Sequence, residues 1–174
     1  MSISINIIFY LFGYLGLVMF QVLVLNRLDL SFYINPYIYP FFVLMLPFRM
    51  PHWLLMILAF GAGLTLDAFS NTASIHAAAL VFLAFVRPYW IGAITPKGGY
   101  ETEERPNIRG LGFSWFALFT FGLIFLHHFF YFFLEVFSLT SVFSTLGKAL
   151  MSSIVSTILI VLLAYLFSRE KKRS

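Results

Sequence analysis

Seven side chains with chemical potential stand out in an otherwise apolar chain: Asp67, His76, His127, His128, Tyr131, Glu135 and Lys148. An acid near the end of an apolar stretch, followed nine residues later by an imidazole, admits three roles: structural pairing, docking of another membrane protein, or a proton or substrate path. His127, Tyr131 and Glu135 recur every four residues and so share one helical face, whereas His128 points roughly a hundred degrees away. Pairing is the preferred reading, with Asp67 or Glu135 partnering Lys148 or a histidine. Catalysis is not supported. A zinc protease helix needs His-Glu-x-x-His, and here Glu135 follows His127-His128 at a distance of seven, so no metal or cofactor site is expected. Ser152 and Ser153 share a helix with Lys148, but a Ser-Lys pairing there needs no more than chance.

The elements that position these groups follow from composition. Hydrophobic residues make up 61% of the 174, charged residues only 10%, and mean hydropathy is +0.93, which is more apolar material than one soluble core can hide. The chain is therefore expected to be an all-α polytopic membrane protein. Period-two alternation is missing from the apolar stretches, which argues against a β-barrel. Basic residues fall in short loops and at the C-terminal end, where they set topology, so the net charge of +4 does not imply nucleic acid. With no cysteine, disulfide and thiolate chemistry are excluded. Because the first apolar segment lacks a basic leader and is too long for a cleaved signal, residues 1–168 read as a single transmembrane domain.

Six helices are expected, at about 5–25, 34–48, 53–69, 73–90, 113–137 and 142–167. Gly13 and Gly16 in the first read as packing positions, and Gln21 as an interhelical hydrogen bond. Pro36, Pro40 and Pro47 make the second short, tilted or broken, with Tyr33, Tyr37 and Tyr39 at the outer headgroup belt. The third and fourth, joined by the short link at Ser70, Asn71 and Thr72, form an antiparallel hairpin. Arg87, Pro88, Tyr89 and Trp90 read as an interface at its end. Residues 92–112 form a polar, near-neutral loop, and 169–174 a basic tail.

Six crossings with both termini in the cytoplasm place Arg49, Arg87, Lys97, Arg105, Arg109, Arg169, Lys171, Lys172 and Arg173 inside, nine of the eleven Lys and Arg, and leave Arg27 and Lys148 outside. This orientation gathers Asp67, His76, His127, His128, Tyr131, Glu135 and Lys148 at one depth near the outer surface. An ionised side chain at the bilayer centre costs roughly 2.5 to 3.5 kcal/mol, so these groups should face protein or water.

The pattern Gly61-x-Gly63-Leu64-x-x-Asp67 ending one helix, followed by a helix start carrying His76-Ala77, resembles the rod shape-determining protein MreD family. The forms LDAFSNTASIHAAALVFLAFVRP, ITPKGGYETEE and LHHFFYFFLE are similar to its Bacteroidetes-type members, and the likeness covers nearly the whole chain. The resemblance implies a non-enzymatic subunit of the cell-elongation complex in the bacterial inner membrane. It implies partners too: a bitopic MreC-like protein, MreB, RodA and its penicillin-binding transpeptidase, together with membrane lipids. The implied fold is similar to the substrate-binding subunits of energy-coupling-factor transporters, which makes a vitamin-type transporter subunit the alternative function. Gly63, Asp67 and His76 are the positions that match the family pattern. Ser74 departs from a common glycine, which implies a looser turn and a less close approach there.

Overall fold

The computed structural model describes residues 3–28, 33–95 and 105–167. The tail at 169–174, Asp29, and the loop residues Lys97, Glu101, Glu103 and Glu104 lie outside the described residues. Among the described residues the order is α1 Ile3–Leu23, α2 Phe41–Leu44, α3 His52–Ser70, α4 Ile75–Ile94, α5 Ile108–Leu111, α6 Phe113–Val136 and α7 Val142–Phe167, with 3-10 turns at Leu25–Arg27 and Leu139–Ser141. Helices α3, α4, α6 and α7 are long and apolar enough to cross a membrane. At 1.5 Å per residue they measure about 28 to 39 Å, against a hydrocarbon core of about 30 Å.

Polarity is inverted relative to a water-soluble fold. Gln21, Asp67, His76, Arg87, His127, His128 and Ser156 are buried, while Phe12, Trp53, Phe143 and Leu166 are 62 to 87% exposed. That distribution suits a hydrocarbon surround, and the chain is a multi-pass all-α membrane protein. Helix α4 is the centre of the bundle, packed by α3 on one side and α6 on the other, with α7 against α6. Ala59, Ala62, Ala79 and Ala84 are buried, and such small residues let the backbones approach. A ladder of Phe121, Phe125, Phe129, Phe133 and Phe137, four residues apart with ring centroids 6.2 to 6.5 Å apart, runs along α6. Gly13 and Gly16 correct the packing expectation: a methyl group at either would meet nothing within 4 Å.

The second apolar segment is not a helix over 34–48. Residues 35–38 are extended, and helix resumes only in the single turn of α2. Non-helical backbone at membrane depth persists only where protein or water satisfies its polar groups, and here side chains do so from both flanks. On one flank Asn35 N donates to Ser152 Oγ at 3.0 Å and Tyr37 N to Ser156 Oγ at 2.9 Å. On the other, Ile38 N donates to Gln21 Oε1 at 2.8 Å and Gln21 Nε2 donates to the Pro36 carbonyl at 3.1 Å. The geometry follows from element dimensions. Two residues of extended chain advance about 6.6 Å and four residues of helix about 6.0 Å, so alternate amides of the segment meet hydroxyls one helical turn apart. Pro36 sits where its missing N–H is not required.

Arg87 is also placed differently from expectation. It lies inside α4 and is 1% exposed. Its Nη2 donates to the carbonyls of Leu44 and Leu46 and its guanidinium lies 6.0 Å from the Phe48 ring centroid. A cation there caps the C-terminal carbonyls that a one-turn helix leaves unpaired.

Candidate functional site

Asp67 does not pair with Lys148 or with an imidazole; it caps the next helix. Its Oδ1 accepts from the backbone N–H of His76 at 3.1 Å, and its Oδ2 from Ala77 N at 2.9 Å. Thr72 Oγ1 donates to Oδ1 as well. His76 and Ala77 are the second and third residues of α4, the amides that an N-capping side chain normally satisfies, and a carboxylate there also meets the positive end of the helix dipole. Ser74, the residue preceding α4, makes no side-chain cap bond, so the acid of α3 supplies the cap from across the turn.

Gly63 permits this reach. A Cβ at Gly63 would lie 2.2 Å from Ala77 Cα and 2.6 Å from Ala77 N, so only glycine allows α3 and α4 to touch there. Ser74 adopts φ 62°, the left-handed region that glycine favours. The turn keeps that conformation without glycine, and the approach expected to loosen is close.

Behind the cap lies a buried chain of aromatic and imidazole groups. The Tyr39 hydroxyl sits 2.8 Å from His76 Nδ1 and 3.1 Å from His127 Nε2, and Tyr131 Oη lies 3.5 Å from His76 Nε2. Tyr37 packs between His128 and Tyr131, with ring centroids 5.2 and 5.0 Å away. Tyr37 and Tyr39 are thus inside the bundle and not in a headgroup belt; they are 9% and 0% exposed, whereas Tyr33 is 53% exposed. His128 uses its own face of α6. Its Nδ1 donates to the Ile124 carbonyl at 2.8 Å, so Nδ1 carries the proton and Nε2 accepts from the Ser156 hydroxyl at 3.1 Å. Ser156 thereby joins His128 to the extended segment.

Glu135 and Lys148 form the expected ion pair at 3.1 Å between α6 and α7. Lys148 Nζ also stands 4.3 Å from the Phe132 ring centroid. The structure brings Gly63, Asp67 and His76 into one joint and links His76 to His127 and Tyr131 through Tyr39 and direct contact; His128 and the Glu135–Lys148 pair complete the same end of the bundle. A cavity of about 290 Å³ opens there, lined in part by Asn26, Asn35, Tyr37, Ser70, His76 and Tyr131. Among the described residues no three His, Asp or Glu side chains gather as metal ligands.

Tyr39, Ser152 and Ser156 complete the network, and the sequence did not announce these roles; Gln21, read as an interhelical hydrogen bond, spends its amide on the second segment and on Asn26. The available signal was the four-residue spacing of Ser152 and Ser156 in an apolar helix, set against a proline-rich segment in need of partners. No family model matches the chain, and neither a curated protein nor a solved structure matches it.

Proposed function

We propose that this chain is a non-enzymatic scaffolding subunit of the cell-elongation complex in the bacterial inner membrane, both termini cytoplasmic, holding a single-span MreC-like partner beside the peptidoglycan-synthesising enzymes. The observation that carries the reading is that Gly63, Asp67, His76 and Ala77, the residues of the MreD-like pattern, form one mechanical joint. Asp67 spends both carboxylate oxygens on the backbone of α4, and Glu135 and Lys148 satisfy each other. Such an arrangement fixes helix positions, which is what a scaffold contributes. A second reading, a vitamin-type transporter subunit, draws on the cavity alone, and its volume lies at the lower edge of ligand pockets.

The test is affinity purification of the tagged chain from its native membranes after mild cross-linking, with cell shape scored in a deletion strain. Recovery of a single-span MreC-like protein, reduced when Asp67 is replaced by Ala, supports the proposal. Recovery of no such partner, together with unchanged cell shape on deletion, overturns it.

A further inference from the structure

We infer that the cavity beside His76 is a binding site for a small uncharged molecule that presents a hydrogen-bond acceptor to the His76 Nε2–H. The inference stands apart from the scaffolding role, since it rests on the cavity's own chemistry.

Size comes first. A volume of about 290 Å³ lies at the lower edge of small-molecule pockets, which run from about 300 to 1,000 Å³. That accommodates a single ring with its substituents. Charge comes second. Among the described residues no Lys, Arg, Asp or Glu lines the cavity; its polar groups there are amides, phenols, hydroxyls and one imidazole. Among the described residues the charges close by already have partners, Asp67 the α4 amides and Lys148 both Glu135 and, at 3.2 Å, the side-chain amide of Asn35. A charged solute entering here would lose water without meeting a direct countercharge, whereas an uncharged hydrogen-bonding one exchanges water for equivalent partners.

Hydrogen-bond direction supplies the third element. The Tyr39 hydroxyl has one proton to share between His76 Nδ1 and His127 Nε2. His127 Nδ1 is buried and has no partner. Were Tyr39 to donate to His127, the neutral His127 ring would carry its proton on Nδ1 and bury an orphan N–H. An unpaired acceptor is the less costly alternative, so His127 Nε2–H donates to Tyr39 and Tyr39 donates to His76 Nδ1. His76 then carries its proton on Nε2, the atom on the Tyr131 side, where the 3.5 Å contact to Tyr131 Oη is long for a hydrogen bond. Two further groups are available to a ligand. Ser70 Oγ is buried without a partner, and Asn26 commits its Oδ1 to Gln21, leaving its NH₂ group. The cavity therefore offers a directed donor on His76 and adaptable polar groups on Ser70 and Asn26, with Tyr37 and Tyr131 also in its lining.

The test uses the purified full chain in detergent micelles, with D-glucose, myo-inositol, uracil and nicotinamide as uncharged probes and acetate and choline as charged ones. Thermal unfolding is the readout, alongside native mass spectrometry of protein purified without added probe. At saturation at least one uncharged probe raises the midpoint by roughly 2 to 4 °C, and neither charged probe does. Ser70→Phe, which fills the cavity, abolishes the shift. If that variant does not fold, Ser70→Ala, which removes only the hydroxyl, weakens it. The inference is overturned if no uncharged probe shifts the midpoint and no small molecule accompanies the purified chain. It is equally overturned if a charged probe acts as strongly, or if the shift survives unchanged in the folded variant.

Discussion

Replacing Asp67 tests the central joint most directly. The side chain is 5% exposed and accepts three hydrogen bonds, two of them from backbone amides at the start of α4. Hydrogen bonds to a charged group contribute about 1.5 to 3 kcal/mol each, and ordinary N-cap losses run about 0.5 to 2 kcal/mol. Asp67→Ala strands both amides, yet the adjacent cavity lets water reach this end of the helix, so the loss should fall near 3 kcal/mol, below the full sum. Asp67→Asn keeps one carbonyl oxygen for an amide and sets an NH₂ group against the other, so about half of that loss is expected. For a chain of this length each kcal/mol corresponds to roughly 2 to 4 °C in midpoint, which predicts a drop of about 6 to 12 °C for Ala and about 3 to 6 °C for Asn. Thermal unfolding in micelles, followed by the fluorescence of Trp53, Trp90 and Trp115, measures both. The capping argument fails if the Ala variant melts within about 1 °C of the parent, or if Asn costs as much as Ala.

Two further substitutions probe independent contacts. Gly63→Ala places a methyl group against the backbone of Ala77, which cannot rotate aside, and should cost about 1 to 3 kcal/mol in the same assay; a stability equal to the parent's would show that the helices separate freely. Ser156→Ala removes the acceptor of the Tyr37 amide and the donor to His128 Nε2, with an expected loss of about 1 to 3 kcal/mol and faster amide exchange at Tyr37, and unchanged exchange there would refute the stitching of the segment.

The long helices were legible because apolar runs of bilayer length need little else to define them. The sequence reading of 142–167 coincides with α7, and 53–69 and 113–137 each differ from the observed ends by one residue. Helix α4 starts two residues after the expected 73 and runs four past the expected end at 90, and Arg87, read as an interface residue, is buried within it against carbonyls. The depth shared by Asp67, His76, His127 and Glu135 was visible from alternation of the helices alone. What the acid does was not visible, since its partners are main-chain amides and those have no signature in residue type. The second segment shows the same limit. Its prolines announce a broken helix, but hydroxyls on α7 that replace its hydrogen bonds lie more than a hundred residues away.

That separation bears on how the protein is made. Ribosomes deliver the extended segment long before α7, and until α7 arrives the amides of Asn35 and Tyr37 lack the Ser152 and Ser156 acceptors 117 and 119 residues later. A growing chain must keep this stretch in contact with water at the membrane edge, because hydrocarbon offers it nothing. Insertion of α7 then supplies the acceptors that let the stretch settle between α1 and α7.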